Sequence, residues 1–167
     1  MTRTLPFDSA TLRKALGHVP TSVCIVSTSD SGGPIGMTVG TFTSISLEPP
    51  LVGFFADSGS MTFHRVRTAE HFTVSVLDDT QDEVCRAFSG EAGDRFAEVS
   101  LVPGRHPAPR IAGALGWFDC AVDTIVNVGD HHLVVGRVLA FDVSAVPRGP
   151  LVFFRGILGQ LGHLDPG

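Results

Sequence analysis

Apolar and polar side chains alternate along most of this chain, and the alternation predicts strands. Thr21-Ser22-Val23-Cys24-Ile25-Val26-Ser27 is one such segment, and His71-Phe72-Thr73-Val74-Ser75-Val76-Leu77 repeats with a period of two. From Leu115 to Val128, Phe118, Cys120 and Val122 point one way, and Asp119, Ala121 and Asp123 the other. Gly129-Asp130 is a hairpin signal, and His132 to Val143 returns, apolar on both faces except at Arg137. Leu151-Val152-Phe153-Phe154 is a last strand, broken by Arg155-Gly156. Helical spacing is confined to short segments. Leu12, Ala15 and Leu16 share a face of a helix through His18, with Asp8 or Ser9 as its cap and Gly17 as its stop. Phe63 and Val66, three apart, follow a cap at Ser58 or Ser60. Thr80 and Glu83 have the spacing of a capping box, opening a helix that packs Val84 and Phe88 inward and ends at Gly90.

One stretch carries more polar groups than a core strand needs. Between Gly36 and Val52, Thr38, Thr41, Thr43, Ser44 and Ser46 crowd an otherwise β-branched and aromatic segment, predicted to run extended as one strand. It pairs as a hairpin with the strand before the Asp30-Ser31-Gly32-Gly33 turn. Pro49-Pro50 stops its ladder, because proline has no N–H to donate, and Leu51 to Ala56 returns. Two readings stand: solvated hydroxyls on a barrel strand, or donors massed for an anionic, oxygen-rich ligand. The Ser58-Gly59-Ser60 helix start is likewise either a simple serine cap or an anion site. Glu91 to Arg110 is irregular, with Asp94-Arg95-Phe96 as a single turn. A loop of that length is commonly functional or mobile.

Six or seven strands with a few short helices predict a mainly β, antiparallel barrel, whose closure hides the edges of such apolar strands. At 167 residues the chain is expected to form one domain, 1–167. A net charge of −5 without a basic run argues against nucleic acid as the main partner. Cys24, Cys85 and Cys120 are odd in number and lack metal-ligand spacing, so they read as buried thiols and no metal site is expected. The start of the chain has no apolar leader segment and no run reaches a membrane-spanning length, so a cytoplasmic protein is the expectation. There is no catalytic-triad motif and no Gly-rich dinucleotide fingerprint.

Four blocks in order resemble the flavin reductase family of the FMN-binding split barrel, the reductase components of two-component flavin monooxygenases. They are Gly36-Met37-Thr38-Val39 through Val52; Ser60 and Thr62; Phe72 to Leu77 with the helix to Phe88 and Asp94-Arg95-Phe96; and Trp117 to Cys120 with Gly129-Asp130-His131, Val135-Gly136 and Pro150 to Gly156. The resemblance implies a split barrel, and a reductase that moves hydride from NADH or NADPH to FMN or FAD. It implies a homodimer, and an oxygenase partner that receives the reduced flavin. By the same resemblance the flavin ring edge lies against the backbone of Thr38, Val39, Gly40, Thr41 and Phe42. Its phosphate and ribityl chain meet Ser44, Ser46, Ser60 and Thr62, and Ile45 and Phe96 complete the flavin set. His131, oriented by Asp130, would donate a hydrogen bond to the nicotinamide, and Arg155 is a candidate for a phosphate of that nucleotide. Where family members often carry Asn-Ser this chain has Gly40-Thr41, and the loop Asp57-Ser58-Gly59 lacks the basic residue that many members place there. Other outcomes of the same sequence are a flavin-holding sensor or electron carrier, an oxidase of the pyridoxamine-phosphate kind, for which no basic phosphate site is found, and a barrel without a ligand.

Overall fold

The computed structural model describes residues 6–90 and 95–161. In chain order these form α1 (Ser9–Leu16), β1 (Thr21–Ser22), β2 (Cys24–Asp30), β3 (Gly33–Val39), β4 (Thr43–Leu47), β5 (Pro50–Asp57), α2 (Met61–Val66), β6 (His71–Val76), α3 (Asp82–Ser89), β7 (Leu101–Val102), β8 (Arg110–Ile111), β9 (Gly116–Val128), β10 (His131–Val143), β11 (Leu151–Phe154) and β12 (Ile157–Gln160). Seven strands make one antiparallel sheet in the order β3-β2-β6-β9-β10-β5-β4. The sheet curls so that β3 also approaches β5, giving the split barrel. A small sheet, β1-β11-β12, and the pair β7-β8 sit outside it.

β2 shows why the strands read as nearly continuous apolar runs. Cys24 and Val26 face a core containing Phe54, Phe63 and Phe72, while Val23 and Ile25 face a second core with Leu77, Phe88, Ile111 and Leu151. Both faces of the strand are buried, one by the barrel interior and one by α3 and the small sheet. The β9–β10 hairpin turns at Gly129, whose φ of 63° is the left-handed conformation that glycine tolerates best. α1 is capped by Asp8, whose Oδ1 accepts from Thr11 N at 2.7 Å, but none of its residues is buried.

Two local expectations change, and one polar residue is buried. The stretch from Gly36 is two strands, because β3 ends at Val39 and pairs with β2, whereas β4 pairs with β5 at the other edge of the sheet. Thr41 marks the break: its Oγ1 accepts from Phe55 N at 2.8 Å and donates to Phe55 O at 3.2 Å, replacing ladder bonds with side-chain ones. The capping box at Thr80 does not form. The buried Asp78 carboxylate accepts from both Thr80 N and Thr80 Oγ1, and Gln81 stands at the start of α3 without a side-chain cap. Finally, alternation does not mark a solvent face on β9, where Asp123 is exposed but Asp119 lies in the interior. Asp119 is fully buried, accepting from Arg110 Nη2 at 2.6 Å, Thr73 Oγ1 at 2.8 Å and Arg105 N at 3.2 Å. Arg110 also reaches Asp142 and lies over the Trp117 ring, so this network pins the proline-rich loop to the barrel.

Candidate functional site

A cavity of about 800 Å³ opens between the barrel wall, α3 and the small sheet. Its floor is the end of β3, Met37 to Val39, continued by Gly40. Two ends differ in chemistry, and β3 sets their separation. Gly36 O is bonded at one end and Gly40 packs at the other, four residues or roughly 13 Å of strand apart.

The Gly36 end is polar and positive. Ser60 caps α2, its Oγ accepting from Phe63 N at 3.2 Å, which leaves its own proton to donate. Arg95 donates from Nη1 to Gly36 O at 3.0 Å and to Thr62 Oγ1 at 3.3 Å, and from Nη2 to Gly90 O at 2.9 Å. These bonds hold a guanidinium beside the two hydroxyls at the cavity wall. α2 has only six residues, so its dipole is small and Arg95 is the main positive element there. Arg86, paired with Asp82 at 3.1 Å, lines the cavity on the side of the small sheet, where it also borders Leu151, Leu158 and Gln160.

Behind the middle of the cavity, α3 is tied to β3. Ser89 Oγ lies 3.2 Å from Thr38 Oγ1 and 2.8 Å from Cys85 O, and Thr38 Oγ1 lies 3.3 Å from that same carbonyl. Burial pushes the Cys85 thiol up, so it lines the cavity as a neutral apolar group and not as a thiolate nucleophile. The far end is apolar, formed by Val23, Val39, Phe153 and Ile157 with Gly40. A Cβ on Gly40 would meet Thr21 Oγ1 at 2.9 Å, so a side chain there would displace Thr21 of β1 from this wall.

The cavity therefore gathers Thr38, Val39, Gly40, Ser60 and Thr62 from the residues singled out in the sequence. The others stand elsewhere. Thr41 is bonded to Phe55, and Phe42 packs against Phe118 at 5.4 Å between ring centroids. Ser44, Ile45 and Ser46 lie on β4, an edge strand outside the cavity. Phe96 stands edge-on to Phe88 at 4.8 Å, behind the wall. Arg155, at the β11–β12 turn, lines a neighbouring groove.

Asp130 and His131 are on the β9–β10 hairpin, bonded Oδ1 to Nδ1 at 2.8 Å. That bond, before any other influence, holds the Asp130 carboxyl below its ordinary value. Ser58 N donates to Asp130 O, tying this hairpin to the loop that leads into Ser60. His132 points away, its Nδ1 3.0 Å from Ser58 Oγ and its ring against Phe63.

Cavity residues that sequence reasoning missed include Val23, Arg86, Ser89, Arg95, Phe153 and Ile157. Arg95 stands in the Asp94-Arg95-Phe96 block, whose pattern signals only a turn. Asp94 itself lies outside the described residues. As a donor set, hydroxyls and a guanidinium at one end and aliphatic and aromatic surface at the other fit a planar ring carrying a phosphorylated chain. The volume is in the range of cofactor pockets.

Comparison with known proteins agrees with that shape. A family model described as a flavin reductase like domain matches residues 16–162. A flavin reductase of Pseudomonas putida is 37% identical over 153 residues, 91% of this chain and 89% of that one. The reductase subunit HsaB of a flavin-dependent monooxygenase from Mycobacterium tuberculosis is 34% identical over 150 residues, 89% of this chain and 80% of its own. The chain spans less of a probable flavin reductase of Rhizobium meliloti, 45% of its length at 38% identity. Among solved structures, the Streptomyces globisporus NADH:FAD oxidoreductase SgcE6, in complex with NAD and FAD fragments, superposes with a TM-score of 0.90 at 32% identity over the full length of both chains.

Proposed function

Because this chain belongs to the flavin reductase like domain family, we propose that it reduces a flavin, FMN or FAD, at the expense of NADH or NADPH, and supplies the reduced flavin to an oxygenase. The observation that carries the reading is the two-ended cavity, with Ser60, Thr62 and Arg95 at one end and an apolar slot at the other. When bound there, flavin supplies the acceptor for a hydride from the dihydronicotinamide, a two-electron reduction. The chain supplies position. Arg95 neutralises the phosphate and the two hydroxyls donate to its oxygens. Val39, Val23 and Phe153 offer apolar surface to the ring and exclude water from it. His131, held by Asp130, is a positioning group for the nicotinamide; hydride transfer itself requires no acid from the protein.

The Cys85 thiol is buried in the wall, and that burial pushes its pKa up, so it offers no thiolate nucleophile. Relatives named as monooxygenase reductase subunits support an oxygenase as the recipient. We also assign a homodimer, because β10 leaves Phe141 and Val143 64% and 72% exposed, apolar surface of the kind that marks association. The test is oxidation of NADH and NADPH in air, with and without added FMN, FAD or riboflavin. Consumption that depends on added flavin supports the reading, and none with any combination rejects it.

A further inference from the structure

We propose that the groove between α1 and the β11–β12 turn binds the pyrophosphate of the nicotinamide nucleotide, as a second anion site separate from the one for the flavin phosphate. The inference rests on the flavin reductase reading and adds where the donor's phosphates lie. The groove, about 750 Å³, is lined by Arg13, Lys14, His18 and Arg155, with no acidic residue among the described residues of its wall. It shares Thr21, Phe153 and Gly156 with the cavity, so the two meet along a common rim at the apolar end. A donor whose ring enters the cavity over that rim leaves its phosphates in the groove. The Ser60, Thr62 and Arg95 cluster is roughly 13 Å of strand away and stays with the flavin.

Charge pairing separates these cations from most others in the chain. Arg65, Arg86, Arg110, Arg137 and Arg148 each pair with an aspartate. Among the described residues no carboxylate pairs with Arg13, Lys14 or Arg155. In a chain of net charge −5, its one lysine and two arginines thus converge on a single groove. The groove is also built, and not merely a meeting of mobile side chains. Gly17 O accepts from Arg155 N at 2.9 Å, locking the end of α1 to the turn. His18 Nδ1 lies 3.1 Å from Lys14 O and its ring stands edge-on to Phe154. Arg155 holds a φ of 52°, an uncommon conformation for a non-glycine residue, at the tip of the turn. Asp130, the partner of His131, also feels Arg13, which puts the histidine hairpin within electrostatic reach of the groove.

The test compares NADH with 1-benzyl-1,4-dihydronicotinamide, which keeps the reacting ring and lacks every phosphate. In a triple variant, Arg13→Gln, Lys14→Gln and Arg155→Gln, the ratio of kcat/KM for NADH to that for the benzyl donor is expected to fall by roughly tenfold or more. In the unaltered protein, raising salt is expected to raise KM for NADH and to leave KM for the benzyl donor nearly flat. An unchanged ratio in the variant, a salt-insensitive KM for NADH, or a variant that loses FAD affinity while the ratio holds would each overturn the proposal. Flavin reduction by both donors with an unchanged ratio sinks only the groove. No reduction by either donor in the unaltered protein sinks the reductase reading and the groove with it.

Discussion

Arg95 donates from Nη1 to Thr62 Oγ1 at 3.3 Å, joining the irregular loop to α2 across the polar end of the cavity. The same nitrogen reaches Gly36 O, so one guanidinium ties together a loop, a helix and the barrel wall. If this group carries the flavin phosphate, Arg95→Gln should weaken FMN binding by about 1.5–3 kcal/mol and leave riboflavin, which has no phosphate, nearly unchanged. Titration of both flavins by fluorescence quenching checks it. Parallel losses for the two would show that Arg95 only supports the wall.

His131 and His132 are adjacent but face different surroundings. His131 is bonded to Asp130 at the surface, and His132 to Ser58 with its ring on Phe63. His131→Ala is expected to raise KM for the nicotinamide nucleotide, or lower kcat/KM, by about tenfold or more with flavin affinity little changed. His132→Ala should instead lower thermal stability, through lost packing and an unpaired Ser58, with a smaller effect on nicotinamide kinetics. Exchange of those two phenotypes would reverse the assignment.

The buried pair of Arg110 and Asp119 makes a prediction about acid stability. Burial pushes the Asp119 carboxyl up, but Arg110, the Thr73 hydroxyl and the Arg105 backbone N–H together hold it below its ordinary value. A carboxyl lowered on folding stabilises the protein above the unfolded value, near 3.9, and that share is lost as pH falls through the lowered folded value. Asp119→Asn should cost about 3 kcal/mol at neutral pH, towards the low end for breaking a buried pair because Arg110 keeps Asp142. It should also flatten the loss of stability below about pH 4. Urea unfolding of parent and variant at neutral and acid pH checks both, and identical acid slopes would contradict this account.

Much of this was legible in the chain. Period-two alternation and the Gly129 turn yield the long β9–β10 hairpin, and the spacing of Phe63 and Val66 behind Ser60 yields α2 with its cap. Thr38, Ser60 and Thr62 could be singled out from the hydroxyl-rich stretch and the helix start, but Ser44 and Ser46 of the same stretch stand on β4 outside the cavity. What could not be read depends on partners far along the chain. Arg95 is placed by a carbonyl 59 residues away, and no periodicity marks its loop. Asp119 alternates as an outward residue would, and only Arg110, brought in by the proline-rich loop, makes its burial tolerable. The division of the Gly36 stretch into β3 and β4 was hidden for the same reason. The Thr41 hydroxyl satisfies the backbone N–H and C=O of Phe55 in place of a ladder partner, and neither residue is a turn former.

The proposed homodimer predicts a solution mass of twice 17.6 kDa by light scattering at micromolar concentration. Phe141→Asp together with Val143→Asp should return the mass to that of one chain while the far-ultraviolet dichroism keeps its β signature. A single-chain mass for the unaltered protein would remove the assignment.

The most direct test of the central claim is anaerobic stopped-flow mixing of the protein and flavin with NADH or NADPH, followed at the flavin band near about 450 nm. Absorbance is expected to bleach in a protein-dependent phase whose rate saturates with nicotinamide concentration. That phase is expected to slow when Arg95→Gln is used at subsaturating FMN. Absence of bleaching with both nucleotides and every flavin, under conditions where flavin binding is demonstrated, would contradict it.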